Sequence, residues 1–379
     1  MTRAQPTGPG RVLQGPPRTH RVPTRSLRAA AAAAVLTGLV GGCATEQPLL
    51  APRPQQVQAP APAVPADRAA AVHAEVEEVV AAADAAGDAA LLAPRVTGAA
   101  AEVRAARYRL RQLSEAAPAP APLGEQVLRD VVPAVGVPGA EEGSAPDRAP
   151  SPAEAAATFP RTWMTITQPS APDPGQGQGP QLSMLVQEDA RSPYLVEATT
   201  GLLPGAVVPP VAAPEQGAPP VDPASAEGLA LSPQDAVAQY AAALTDPAAP
   251  EAARFVDDPF RQEVLAERAE ADAVDFFALE TTRSPRPGPV RAVATADGGA
   301  LVVGVLESRS VQTVEEEGAV LQLPEPVAAL AGRADAPERL EQRWLEVVAL
   351  SVPPAGDGAQ APQVQVVGAD RVLLEATAS

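Results

Sequence analysis

The sequence predicts an α+β protein, built as two tandem helix–helix–antiparallel-sheet units behind a disordered N-terminal tether. Three observations predict it. Apolar residues recur at three- and four-residue steps in two separate pairs of segments, which is the helical period. Each pair is followed by short Val-, Leu- and Thr-rich runs broken by Gly, Pro and Asp, the pattern of strands and turns. A proline-rich stretch, 206–230, separates the two series and reads as a linker.

The N-terminus carries an address. Six arginines (Arg3, Arg11, Arg18, Arg21, Arg25 and Arg28) and no acid precede a 14-residue apolar run from Ala29 to Gly42. That run is shorter than the ~20 residues a permanent membrane-spanning helix needs, so residues 1–42 read as a signal peptide. It ends in Val40-Gly41-Gly42-Cys43, which resembles the bacterial lipobox with Val in place of the usual Leu. The resemblance implies cleavage after Gly42 and acylation of Cys43 by fatty chains of the palmitate kind. Each buried CH₂ contributes about 0.8 kcal/mol, so two or three chains hold a protein at a membrane firmly. The expected location is therefore the extracytoplasmic face of the cell membrane. Cys43 is the only cysteine, so no intrachain disulfide is available.

Residues 43–66 alternate Ala, Pro and Gln with no hydrophobic period, as expected of a spacer. The first unit, 67–205, opens with a helix from Asp67 to about Ala86, striped by Val72, Val76, Val79, Val80 and Ala83. A second helix follows at Ala99–Leu113, and strands at Val127–Val137, Thr158–Thr167, Gln181–Gln187 and Tyr194–Thr200. The turn-rich Glu188–Pro193 joins the last two strands as a hairpin. Loops are expected at 138–152 and 169–180.

The second unit, 231–379, starts at Ser232-Pro233, an N-cap followed by proline at the first helical position. Helices are expected at 232–244 and from about Asp258 to Ala273. Strands follow at Asp275–Thr282, Val290–Ala296, Ala300–Val314, Arg343–Val352, Gln363–Val367 and Arg371–Thr377, with Asp297-Gly298-Gly299 turning one hairpin.

The order of elements resembles the cystatin-like cone of the nuclear-transport-factor and ketosteroid-isomerase superfamily, in which helices pack into a curved antiparallel sheet. Three runs, Phe159–Arg161, Met184–Tyr194 and Leu203–Ala206, resemble those of actinobacterial lipoproteins that share a domain of unknown function. That resemblance implies the address and the element order, and no activity.

Composition excludes several chemistries. Every one of the 28 basic residues is arginine, so a lysine Schiff base and a lysine-bearing phosphate loop are impossible. Removing the first 42 residues leaves 22 arginines against 46 acids, a balance of −24 that repels nucleic acid. One histidine, His73, remains beyond the signal segment and reads as a surface residue on the first helix. With it and one acylated cysteine, no His/Cys metal cluster can form, and no metal or other cofactor is implied. Asp257-Asp258 is read as a helix cap and Glu315-Glu316-Glu317 as a solvated turn.

Tyr240, Phe255, Phe260, Phe276, Phe277 and Trp344 gather most of the aromatic residues in the second unit. They read first as core packing and second as the lining of a pocket for an apolar ligand. Three function classes follow. The preferred one is a non-catalytic interaction or scaffold lipoprotein with an envelope protein partner and no catalytic residues. The alternatives are a carrier or sensor of a small apolar ligand, and an isomerase- or dehydratase-like enzyme using Asp257, Asp258 or Tyr240.

Overall fold

The computed structural model describes residues 61–135, 159–169, 179–356 and 361–379. Gly42, Cys43, the signal segment, the spacer up to residue 60, the loop 138–152 and most of 169–180 lie outside them. Among the described residues the protein is mixed α+β, with five α-helices and antiparallel sheets. No described helix is long and apolar enough to cross a membrane.

The end of the expected spacer belongs to the fold. Strand β1 (Ala61–Pro62) pairs with β3 (Ala134–Val135), Ala63 N–H donates to the Pro133 carbonyl at 2.7 Å, and Val64 is buried. Burying Val64 against the first helix is what fixes this boundary. Helix α1 (Ala66–Ala86) buries Ala69, Val72, Val76, Val80 and Ala83, one stripe at helical spacing, and ends at Gly87 in the left-handed region, φ 61°. Helix α2 (Gly98–Leu113) looks thin in sequence because its buried face includes Arg104. That guanidinium pairs with Asp84 of α1 at 2.6 Å, and the Tyr108 hydroxyl donates to the same carboxylate at 2.5 Å.

The first sheet runs β2 (Gln126–Val131), β4 (Arg161–Gln168), β5 (Gln181–Gln187), β6 (Leu195–Gly201), all antiparallel neighbours. The β5–β6 hairpin is the one expected, its turn held by Asp189 accepting from the Arg191 and Ser192 amides.

In the second half, α3 (Pro233–Thr245) starts on the Ser232 cap, whose hydroxyl accepts from Asp235 N–H at 3.1 Å. Helix α4 (Pro259–Asp272) starts on Asp258, which accepts from Arg261 N–H at 2.9 Å, so the capping reading of Asp258 holds. The second sheet is ordered β13 (Gln365–Ala378), β12 (Arg339–Val352), β9 (Ala300–Val314), β7 (Phe277–Pro285). Strand β8 (Arg291–Ala294) shares the β9 edge beyond β7, and the Asp297–Gly299 turn joins β8 to β9 as expected. The two strands expected at 363–367 and 371–377 are one: Gly368, Ala369 and Asp370 continue the ladder opposite Ala349, Val348 and Val347. Two short strands, β10 (Leu321–Gln322) and β11 (Asp335–Ala336), flank helix α5 (Glu325–Ala331), which the sequence pattern did not announce.

Alternation along β12 shows how the layers pack. Leu345, Val347 and Ala349 join Met164, Ile166, Met184 and Ala198 of the first sheet in one shared apolar core, while Val348, Leu350 and Val352 face α3. Gly304 lets α3 approach: a Cβ there would lie 2.5 Å from Val237 Cγ2.

The proline-rich stretch expected to be a linker is held between the β1–β3 pair and the second sheet. Ala218 exchanges hydrogen bonds with Val132 and Ala134 on the first side. Val221 donates to Ala292, and Ala294 donates to Pro219, on the second. Its apolar residues Ala218, Val208 and Val211 pack on the shared core, and that burial outweighs the freedom a linker would keep.

Candidate functional site

The six aromatic residues do not converge on one cavity. Tyr240, Phe255 and Phe260 are sealed in the core between α3, α4 and the second sheet, with the Tyr240 and Phe255 rings 5.2 Å apart. Phe276 and Phe277 lie edge to face at 5.3 Å, partly buried against the shared core. Trp344 alone of the six lines a cleft, and most of the other residues around that cleft are polar or charged. A core this poor in large side chains takes up its aromatics as packing.

The cleft has a volume of about 130 Å³ and lies between α4 and the α3-facing side of the second sheet. Register explains its lining. Thr281 of β7, Ser310 of β9 and Gln342 of β12 stand in one cross-strand row, and Arg283, Ser308 and Trp344 in the next. Glu346 follows Trp344 two residues along β12 and pairs with Arg371 of β13. Period-two alternation thus puts Gln342, Trp344 and Glu346 on one face.

Glu346 is the chemical centre. Its side chain is 1% exposed, and Oε1 accepts from Arg283 Nε at 3.1 Å. Oε2 has no hydrogen-bond partner among the described residues. Burial pushes the Glu346 carboxyl up, against the opposing pull of Arg283, of Arg371 and of the neighbouring Ser308 hydroxyl. Arg283 is held by a second bond, from Nη1 to the Leu244 carbonyl at 2.9 Å. Arg371 lies 5.3 Å from the Trp344 ring centre and reaches α4, donating to Glu263 at 2.9 Å and to Glu267 at 2.8 Å. The result is a buried acceptor beside hydroxyls, amides and one indole, walled by a fixed cation.

The other sequence candidates sit elsewhere. Asp257 is exposed and bonded to Gln262 and Arg261, which hold it below the usual carboxylate range. Asp258 is buried, takes the Tyr240 hydroxyl at 3.0 Å and is pushed up by burial. The pair thus closes the α3–α4 corner, outside the cleft lining. Glu315, Glu316 and Glu317 form an exposed turn.

His73 is not the surface residue the sequence suggests. Its Nε2 lies 3.0 Å from Asp130 Oδ1, and its ring sits edge-on to Trp163 at 4.8 Å. Trp163 Nε1 donates to the same oxygen at 3.1 Å. A buried indole needs an acceptor, and Asp130 serves both rings. Among the described residues no group of three His, Cys, Asp or Glu side chains is placed to hold a metal ion.

Sequence reasoning missed Glu346, Arg283 and Arg371. A signal for the first was present: one acid between Leu345 and Val347, inside a run apolar on both faces.

No curated protein and no solved structure matches the chain. A family model does match, over residues 154–378, which take in β4 to β13 and the whole cleft. With more than half its length inside that match, the chain belongs to the family described as a domain of unknown function (DUF8094).

Proposed function

We propose that this chain is a lipid-anchored protein of the extracytoplasmic face whose second unit binds a small, neutral, hydroxyl-rich molecule in the Glu346 cleft. The anchor rests on Val40-Gly41-Gly42-Cys43 at the end of a short apolar run behind six arginines. The binding role rests on one observation, the buried and unpartnered Glu346 Oε2 in a cleft of about 130 Å³. A buried carboxyl oxygen left without a partner is costly, and a ligand O–H or N–H removes that cost. Thr281, Ser308, Gln342 and the Trp344 indole supply further neutral contacts. In this reading the preferred interaction role becomes a ligand-binding one, without a catalytic step. The helix–helix–sheet order of both halves supports two successive cystatin-like units as the scaffold.

The chain has only two tryptophans, so a Trp163→Phe form reports on Trp344 alone. Titrating it with D-glucose, D-mannose and myo-inositol should change its fluorescence saturably for at least one of them. Glu346→Gln should weaken that binding about tenfold, the loss of one well-placed charged acceptor. Silence from all three polyols, or a Glu346→Gln variant that binds equally well, would sink the binding role. The anchor is tested separately: Cys43→Ser should lose incorporated palmitate and leave the membrane fraction.

A further inference from the structure

A second cavity, of about 240 Å³, opens where the two sheets meet. Its floor is apolar: Ala99, Met184, Ala198, Val303 and Val305, four of them members of the shared core and the fifth packed against it. Its wall is the loop Pro287-Gly288-Pro289-Val290 between β7 and β8. The mouth is charged, and not evenly. Arg286 pairs with Glu102 at 2.8 Å and with Glu307 at 3.5 Å, while Arg291 reaches Glu197 and Glu188, each at 3.3 Å. Of these, only Glu102, Glu197 and Arg286 line the cavity, two carboxylates against one guanidinium, leaving one net negative charge around an apolar floor.

We infer that this cavity binds a hydrophobic monoamine, with the apolar body on the Met184–Val303 floor and the ammonium group at the Glu102/Glu197 mouth. A dry cavity of roughly 150 Å³ accommodates a benzene ring, so this one has room for two fused rings. Apolar burial supplies the affinity, and the unbalanced carboxylates supply the sign of the charge. An anion of the same shape is opposed both at the mouth and by the net negative charge of the whole chain. This cavity is separate from the Glu346 cleft and shares no lining residue with it.

Three probes that share the indole ring test it on the full chain carrying Cys43→Ser, by calorimetric titration: tryptamine, indole and indole-3-propionate. Tryptamine should bind at least about tenfold more tightly than indole-3-propionate, with indole between them, and added salt should narrow the gap. The Glu102→Gln/Glu197→Gln double variant should bring tryptamine to the affinity of indole, and Val305→Phe should abolish binding of both. The melting temperature identifies a Val305→Phe chain that does not fold; the charge variant, altered only at the rim positions Glu102 and Glu197, 42% and 23% exposed, then decides alone. Equal affinity for the three probes, no binding by any, or tryptamine binding unchanged in the charge variant or in a folded Val305→Phe chain overturns the proposal.

Discussion

The helix-facing sides of the two sheets differ in how far they are closed. In the first half the 21-residue α1 lays Val72, Val76 and Val80 over Trp163, Leu185 and Val196, and only about 30 Å³ is left beside His73. In the second half the 13-residue α3 covers one end of the sheet, and α4 buries only Phe260 and Val264, so about 130 Å³ stays open over Trp344 and Glu346. Both surfaces carry hydroxyl side chains, Thr165 and Ser183 on one and Thr281 and Ser308 on the other. Helix length and anchoring, not sheet polarity, therefore separate a closed surface from an accessible one.

The two tryptophans give the largest test of that contrast. Trp163→Ala should cost about 3–5 kcal/mol in denaturant unfolding, the usual loss for a fully buried aromatic, whereas Trp344→Ala should cost well under half as much. Equal losses would mean the cleft is as tightly packed as the closed surface. Gly304→Val should come next, at about 1–3 kcal/mol, because its side chain meets Val237. Adding Val237→Ala should return part of that loss in the same melts.

Asp130→Ala should cost about 1–2 kcal/mol by stranding the Trp163 indole N–H, with His73→Ala costing less. The smallest effect is a pH dependence. Burial raises Glu346, so the folded protein holds this proton more tightly than the unfolded chain does. Its contribution to stability then grows as pH falls through the folded value, and levels off below the unfolded value near ~4.3. Glu346→Gln should remove that slope between neutral pH and about 4, leaving Asp258, also raised by burial, as the common background. Identical slopes in the two proteins would show that Glu346 is solvated after all.

Much of the fold was legible because local rules decide it. The α1 stripe, the Ser232 and Asp258 caps, the Glu188–Pro193 hairpin and the Asp297–Gly299 turn depend on residues a few positions apart. What was not legible depends on long-range pairing. Gly368–Asp370 looks like a break between strands until β12 offers its edge, and 206–230 looks like a linker until two sheets present partners. The cleft is of the second kind. Glu346, Arg283 and Arg371 lie on three strands, and only the ladder register brings them together. The aromatic residues stand out in the sequence because they are rare, yet rarity is the reason most of them went into the core.

The proline-rich crossing segment also bears on solubility. Pro219 accepts from Ala294, Pro220 forms a bridge opposite Val293, and Val221 donates to Ala292, so three residues shield the outer border of β8. A proline has no amide hydrogen to offer outward, so this cover ends the hydrogen-bonded array where an ordinary strand would prolong it. Neighbouring molecules thus find no template there for cross-molecular β-pairing, the usual first step of aggregation.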